Sequence, residues 1–379
     1  MKIILSPDSF KGSLSARDAA EALERGIHRV LADAECVILP IADGGEGTLE
    51  TLVEEAELRS ARVRGTDGTE IEALYGVRGR NAVIEMARAA GLTLIPEEKR
   101  DPMSASTYGV GQLILAALDA GCNRILLTVG GSGTNDGGSG MFTALGGRLL
   151  DAEGNVLFGC AASLGRVAKI DASGLDPRLQ GVLFGVASDV TNPLLGEKGA
   201  TRVYGPQKGL KGEALERVEE GMGVYAKALC DACGHNVASF PACGGGGGLI
   251  APLLAFCRVQ VRSGIESVLD AAGFDAHLDS ARAVITGEGR VDGQSCYGKA
   301  ISGVAAHAKA KGVAVYVAAG SLGEGWEQLL SHGICGAESL MEHAAAIPKE
   351  ERLSYCMENA SSLLEEIGES IARGLRSDC

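Results

Sequence analysis

Aromatic residues are scarce, with seven Phe, seven Tyr and one Trp making up 4% of 379 residues. That poverty argues against the stacking platforms on which proteins hold single-stranded nucleic acid. Positive charge is short as well. Thirty-five Lys and Arg stand against 49 Asp and Glu, a net charge of -14, which disfavours nucleic acid and anionic membrane surfaces as partners. An anionic substrate therefore needs local cations set against a repulsive global field. No apolar run reaches the length of a membrane span, and Met1-Lys-Ile-Ile-Leu5 reads straight into a strand rather than an export signal. The expectation is a cytoplasmic protein without nucleic-acid or membrane partners.

Cysteine is present, but not in a pattern that staples or ligates. The eleven cysteines are odd in number and scattered through apolar segments, so they read as reduced core residues. Cys230-x-x-Cys233, with His235 and Cys243 nearby, supplies one zinc knuckle without a regular partner, and Cys230 sits in a helix-like segment. Buried thiols are the better reading. What the chain has in plenty is glycine, 55 residues, concentrated in loops after apolar runs. With 46% hydrophobic and 22% charged residues, it is long enough for two globular domains.

The central stretch is Gly130-Gly-Ser-Gly-Thr-Asn-Asp-Gly-Gly-Ser-Gly140, behind the strand-like Ile125-Leu-Leu-Thr-Val129. Its glycines let the backbone take positive φ and approach a ligand closely. Met141 to Leu145 continues as a helix that aims free N–H groups back at the loop, a site suited to anions. There is no Walker A pattern and no clean GxGxxG, so a structural glycine turn is the competing reading.

In chain order, Ile3-Ile4-Leu5 is a strand, and Ser15 caps a helix whose Ala19, Ala20, Leu23, Ile27, Val30 and Leu31 fall at helical spacing. Val37-Ile38-Leu39 is a second strand, followed by Ile41-Ala-Asp-Gly-Gly-Glu-Gly-Thr48 and a short helix. Strand, polar glycine loop and helix in repetition signal a parallel sheet with ligands at its carboxyl edge. Ala61 to Ala87 instead suggests antiparallel hairpins, turning at Thr66-Asp-Gly68 and Arg78-Gly79. Further strands are expected at Val182–Ala187, Ala283–Thr286 and Ala314–Ala318, with a polar stretch up to Pro177 and one long final helix from about Glu350. The fold class is α/β in two domains. Residues 1–60 and 264–379 form a discontinuous Rossmann-like parallel-sheet domain, 61–263 an inserted mixed α/β domain, and a cleft lies where their loops face each other.

Five polar loops end apolar runs, carrying Asp8, Asp43 with Glu46, Asp136, Asp189, and Glu288 with Asp292. Lys11, Arg202, Lys208, Arg290 and Lys299 supply cations. Carboxylates among amide-rich loops suit magnesium-nucleotide chemistry, which needs oxygen ligands, phosphate donors and a base. Any single Asp is more simply a turn or cap residue; five such loops are harder to dismiss.

Six segments carry a resemblance: Pro7-Asp-Ser-Phe-Lys-Gly-Ser-Leu-Ser-Ala16, Ala42-Asp-Gly-Gly-Glu-Gly-Thr48, Gly130 to Met141, Asp189-Val-Thr-Asn-Pro-Leu194, Tyr204-Gly-Pro-Gln-Lys-Gly209 and Thr286-Gly-Glu-Gly-Arg-Val-Asp-Gly-Gln-Ser295. In order and spacing they resemble the type I glycerate kinases, the glycerate 2-kinases of bacterial sugar-acid and glyoxylate metabolism, from residue 1 to about residue 325. The resemblance implies transfer of the ATP γ-phosphoryl group to the 2-hydroxyl of D-glycerate, with Mg2+, on a two-domain α/β architecture. Cys243-Gly-Gly-Gly-Gly-Gly248 departs from the family's alanine–glycine mixture, and the chain after Gly333 matches poorly.

Within those motifs, roles follow from chemistry. Arg290, with its planar fork, is assigned to the substrate carboxylate, with Ser9 and Asn192 beside it. Asp189 is the base, with Asp292 as runner-up; Lys11 and Lys299 face the transferring phosphoryl group. Gly130, Gly131, Ser132, Thr134, Asn135 and Gly137 are assigned to the ATP phosphates, and Glu288, Asp292, Asp43 and Asp136 to Mg2+. Two rival readings stand beside the kinase: a magnesium-dependent sugar-acid isomerase or lyase, and a non-catalytic sugar-acid sensor. Monomer and homodimer both remain open.

Overall fold

The structure, a computed structural model, describes residues 1–377 apart from 43, 46 and 297–299. Its strands, in chain order, are β1 Lys2–Pro7, β2 Glu35–Ile38, β3 Leu58–Arg64, β4 Glu70–Arg78, β5 Asn81–Glu85, β6 Arg124–Thr128 and β7 Arg148–Leu150. There follow β8 Val156–Leu157, β9 Lys169–Asp171, β10 Leu183–Ala187, β11 Arg258–Arg262, β12 Ala281–Val291, β13 Ala314–Leu322 and β14 Ile334–Ser339. The fold is α/β. The chain divides into two compact units, Met1–Asp43 with Val268–Cys379, and Gly44–Ser267. The first crossing thus falls before residue 60, because the Thr48–Leu52 helix is tied to the end of β5: Leu49 N–H donates to Glu85 Oε1 at 2.9 Å.

In the discontinuous unit, β14-β13-β12-β1-β2 form one sheet, parallel throughout. Strands covered on both faces read as unbroken apolar runs, and Ile3, Ile4 and Leu5 are fully buried beside Ala283, Val284 and Ile285. Ranked by chain position, the order is 2-1-3-4-5, so the winding direction reverses between β1 and β12. Ligands of open α/β sheets bind outside the carboxyl ends of the strands at such a switch point.

Ser15 caps the first helix, Ala16–His28, by accepting from Asp18 N–H at 3.1 Å, a contact worth about 1 kcal/mol. Ala19, Ala20, Leu23 and Ile27 of that helix are buried as their spacing predicts. They pack against the last helix, Ala360–Ser377. The two helices cross at Gly26 and Gly368, where an added β-carbon would lie 1.9 Å from the Glu365 carbonyl oxygen or 2.5 Å from that of Leu23. The single C-terminal helix of the sequence reading is in fact two, Lys349–Glu358 and Ala360–Ser377, parted at Asn359, which leaves helical geometry at φ -112 and ψ 19.

In the contiguous unit the sheet order is β11-β10-β6-β5-β4-β3. β5, β6, β10 and β11 are parallel, while β3 and β4 form the expected antiparallel hairpins on one edge. The stretch taken as merely polar before Pro177 folds into a small antiparallel sheet, β8-β7-β9. Leu149, Leu157 and Ile170 from that sheet share a core with Met222, Tyr225 and Leu229 of the Gly212–Cys233 helix. The short strands carry too few apolar residues to register as periodic runs.

β12 is longer than the sequence suggests. Gly287 to Val291, read as loop, continues the strand in register with β13, Glu288 opposite Ala319 and Arg290 opposite Ser321. Its glycine serves close packing rather than turning, since a β-carbon on Gly287 would stand 1.8 Å from the Ala318 carbonyl oxygen.

Candidate functional site

At the switch point of the discontinuous unit, the chain leaves β1 through a tight loop. Asp8 N–H donates to Gly287 O at 2.8 Å, and Leu14 N–H donates back to Phe10 O at 3.0 Å, with Phe10 buried beneath. Asp8 Oδ1 accepts from Ser9 N–H at 2.5 Å. Lys11 is exposed at the tip, and a β-carbon built on Gly289 would lie 3.6 Å from its amide nitrogen. The loop therefore lies along the end of β12, where residues two apart share a face: Glu288 and Arg290. Glu288 Oε1 accepts from the buried Ser295 hydroxyl at 2.7 Å. Arg290, 73% exposed, places Nε 3.4 Å from Asp292 Oδ2. Ser9, Lys11, Glu288, Arg290 and Asp292 thus gather at one strand edge. Asp43, Glu46 and Lys299 lie outside the described residues.

A second edge forms in the contiguous unit at the carboxyl ends of β5, β6, β10 and β11. A β-carbon on Gly130 would lie 3.2 Å from Gly45 Cα, and one on Gly44 would lie 2.5 Å from Gly264 Cα and 3.3 Å from Ala187 Cβ. Gly44-Gly45, Gly130, Asp189 and Gly264 are neighbours here. Asp189 is exposed, and its Oδ1 accepts from Gly264 N–H at 2.7 Å, which fixes the carboxylate. Asn192 is occupied by its own loop: Nδ2 donates to Lys198 O at 2.7 Å, and Oδ1 accepts from the Tyr204 hydroxyl at 2.7 Å. Both polar ends of its side-chain amide are thus engaged within the chain rather than held ready for a substrate.

The glycine loop splits in two. Gly130, Gly131 and Ser132 lie at the strand edge, stitched to the neighbouring turn by Leu92 N–H donating to Gly131 O at 2.9 Å and Gly133 N–H to Ala90 O at 2.8 Å. Thr134, Asn135, Asp136 and Gly137 are interior. Asp136 has no exposed surface, and its carboxylate collects four donors: Thr107 N–H and Oγ1–H at 2.8 Å each, and the amides of Gly138 and Gly140 at 3.1 Å each. Two of those amides open the short Ser139–Ala144 helix. The anion that this helix end attracts is thus the chain's own Asp136. Gly138 makes the turn possible, at φ 72 and with the Leu249 carbonyl oxygen 2.3 Å from where a β-carbon would sit.

This corrects the sequence reading in two respects. Asp136 is withdrawn from the metal set, because both its oxygens are spent inside the fold. Thr134, Asn135 and Gly137 are withdrawn from the phosphate set: Thr134 is fully buried with its carbonyl accepting from Lys208 Nζ at 2.6 Å, Asn135 donates to Thr201 Oγ1 at 2.9 Å and Gly137 N–H to Gly247 O at 3.0 Å.

Lys208 is also interior, donating from Nζ to Thr134 O at 2.6 Å. Burial pulls its ammonium down to about 7, with the Asp136 carboxylate opposing. Burial pushes Asp136 up from its ordinary value, against the pull of the Thr107, Gly140 and Gly138 donors. Arg202 is spent on the surface, bridged to Glu216 at 2.8 Å and Glu197 at 3.5 Å.

Two residues at the second edge escaped the sequence reading. Glu85, at the end of β5, is 1% exposed and accepts from Leu49 N–H; Arg88 Nε sits 3.0 Å from its other oxygen and also pairs with Glu50. Burial raises the Glu85 carboxyl, against Leu49 and Arg88. Arg88 remains partly exposed at the sheet's carboxyl edge. Its signal was available, a carboxylate closing the apolar run Ala82-Val-Ile84 with an arginine three residues on.

A doubly wound sheet with cations and carboxylates at its switch point, together with a unit whose glycine loop and anchored aspartate edge the parallel strands of a mixed sheet, is the architecture of an α/β enzyme suited to anionic ligands. The model of the glycerate kinase family matches residues 3–376. The chain is 46% identical over 374 residues to a glycerate kinase of Halalkalibacterium halodurans, covering 98% of this chain and 97% of that one. It is 41% identical over 381 residues to the glycerate 2-kinase of Escherichia coli, covering 100% of both. A crystal structure from Salmonella typhimurium LT2, assigned as glycerate kinase 2, superposes with a TM-score of 0.89 at 42% identity over 100% of this chain and 99% of that one. The chain belongs to the glycerate kinase family and is a kinase. Among the described residues, no helix is long and apolar enough to cross a membrane.

Proposed function

We propose that the protein transfers the γ-phosphoryl group of ATP to the 2-hydroxyl of D-glycerate, giving 2-phosphoglycerate and ADP, in cytoplasmic sugar-acid catabolism. The observation that carries the reading is end-to-end similarity to a protein named glycerate 2-kinase. Phosphorus NMR of the product of D-glycerate and Mg-ATP tests it. A 2-phosphate resonance is expected; a 3-phosphate product, or ATP consumption independent of D-glycerate, overturns it.

Phosphoryl transfer is largely positioning and charge neutralisation. In the proposed arrangement Arg290 grips the substrate carboxylate with two parallel N–H bonds, its exposed fork being available for a planar partner, and the Ser9 hydroxyl lies in the same loop cluster. Asp189 takes the proton from the 2-hydroxyl, and the Gly264 amide keeps its carboxylate at one address. Lys11 and Lys299 balance the charge on the phosphoryl oxygens. Amides of Gly130, Gly131 and Ser132 face the nucleotide phosphates.

Glu288 and Asp292 fit Mg2+. They are carboxylates on one strand end, linked through Ser295, which donates to Glu288 at 2.7 Å, and a hard ion that keeps several waters needs only one or two such ligands. Asp43 is proposed to assist. When bound, the ion neutralises phosphate charge and holds the β- and γ-phosphates in one orientation.

A further inference from the structure

Glu24 and His28 stand four residues apart on the Ala16–His28 helix and so share a face. Cys36 belongs to β2, the edge strand beside β1. A carboxylate oxygen of Glu24, an imidazole nitrogen of His28 and the sulfur of Cys36 all lie within 4.8 Å of one another, and all three residues are partly buried. Among the described residues no other trio of His, Cys, Asp or Glu is so arranged. The Cys230-x-x-Cys233 knuckle is not, since the Cys233 thiol is turned to the His235 carbonyl oxygen at 3.3 Å.

We propose that Glu24, His28 and Cys36 form a site for a borderline divalent transition ion, zinc foremost, that ties the first helix to the sheet edge. One oxygen, one nitrogen and one sulfur ligand match a tetrahedral zinc site that keeps its fourth position for water. A thiolate ligand selects against magnesium and calcium, which take oxygen, so the site is chemically separate from the ion of phosphoryl transfer. Zinc bonds of 2.0–2.3 Å place tetrahedral ligand atoms about 3.3–3.8 Å apart. The trio's ligand atoms, all within 4.8 Å of one another, lie no more than about 1.5 Å outside that spacing.

The surroundings already resemble an outer shell. His28 Nε2 lies 3.1 Å from the Ala34 carbonyl oxygen. In the Nε2–H tautomer the ring donates there and keeps a lone pair on Nδ1, the arrangement that usually orients a ligating histidine. A bound zinc ion takes the Cys36 sulfur as thiolate, with release of a proton.

Cobalt reports such a site directly. Chelator-treated full-length protein titrated with Co2+ is expected to saturate at one equivalent with a sulfur-to-cobalt charge-transfer band, which Zn2+ then bleaches. Cys36→Ser should abolish the band, and His28→Ala and Glu24→Gln should each weaken Co2+ binding at least tenfold, with far-UV circular dichroism unchanged. Excess Zn2+ should raise the Tm of the parent protein and not that of Cys36→Ser. A band that survives Cys36→Ser, no binding at one equivalent, or equal Zn2+ shifts in the two proteins overturns the proposal.

Discussion

Replacing Asp136 by alanine removes the acceptor for four interior donors, the Thr107 amide and hydroxyl and the amides of Gly138 and Gly140. The hydroxyl can rotate elsewhere; the three amides cannot. A buried donor left without a partner costs about 1–3 kcal/mol, so the three together cost about 3–9 kcal/mol. Relief from burying a carboxylate offsets part of this, and the Lys208 ammonium loses its counter-charge in the same stroke. Against a total stability of about 5–15 kcal/mol, Asp136→Ala should lose at least 3 kcal/mol and much of its soluble yield. Asp136→Asn keeps an oxygen for Thr107 and Gly140 but sets an amide N–H against that of Gly138, and should lose about 1–3 kcal/mol. Urea denaturation followed by far-UV circular dichroism ranks the three proteins. If Asp136→Ala unfolds within 1 kcal/mol of the parent, the carboxylate is not the loop's internal anchor and its reading as a ligand returns.

Three further outcomes are expected. Lys208 titrates at about 7 when folded and 10.5 when unfolded, so between those values the unfolded chain holds more protons and stability rises with pH. The stability of the parent relative to Lys208→Met should climb by about 1.4 kcal/mol per pH unit from pH 7.5 to 9, and a flat difference in urea midpoints refutes it. Gly287→Ala drives a methyl group into the Ala318 carbonyl and should cost about 3 kcal/mol or more, whereas Gly181→Ala, with nothing within 4 Å of the added carbon, should stay within about 0.5 kcal/mol; equal melting of the two variants would contradict the close strand approach. Arg290→Lys should raise the apparent KM for D-glycerate roughly ten- to a hundredfold and leave that for ATP nearly unchanged; the opposite split would make Arg290 a phosphate ligand.

The alternation of buried strand, polar loop and helix was legible because strands covered on both faces must be continuously apolar, as Ile3-Ile4-Leu5 and Ile125-Leu-Leu127 are. The switch point was half legible: the motifs carrying Lys11 and Arg290 stand out in the sequence, while their adjacency depends on β1 pairing with a strand that begins near residue 281. Glycine was the misleading letter. Gly287 reads as loop, yet it lets two strands approach, a requirement set by the Ala318 carbonyl across the sheet. Asp136 misled for a related reason. Whether a carboxylate beside a helix end binds a ligand or binds that end itself is decided by Thr107, 29 residues upstream, and no local pattern carries that information.

The crossing of the Ala16–His28 and Ala360–Ser377 helices, and the seat of β1 between β2 and β12, give the protein an order of assembly during synthesis. β12 follows β1 by roughly 270 residues, which at about 5–20 residues per second leaves β1 without its inner neighbour for tens of seconds. Through that interval the ribosome delivers the whole of Gly44–Ser267, which can close its own core while the first strand pair and helix wait with their apolar faces uncovered. The last helix to emerge completes the first core to begin. Chaperone demand in the cell should therefore fall on the first forty-odd residues, although those residues end up among the most deeply packed in the molecule.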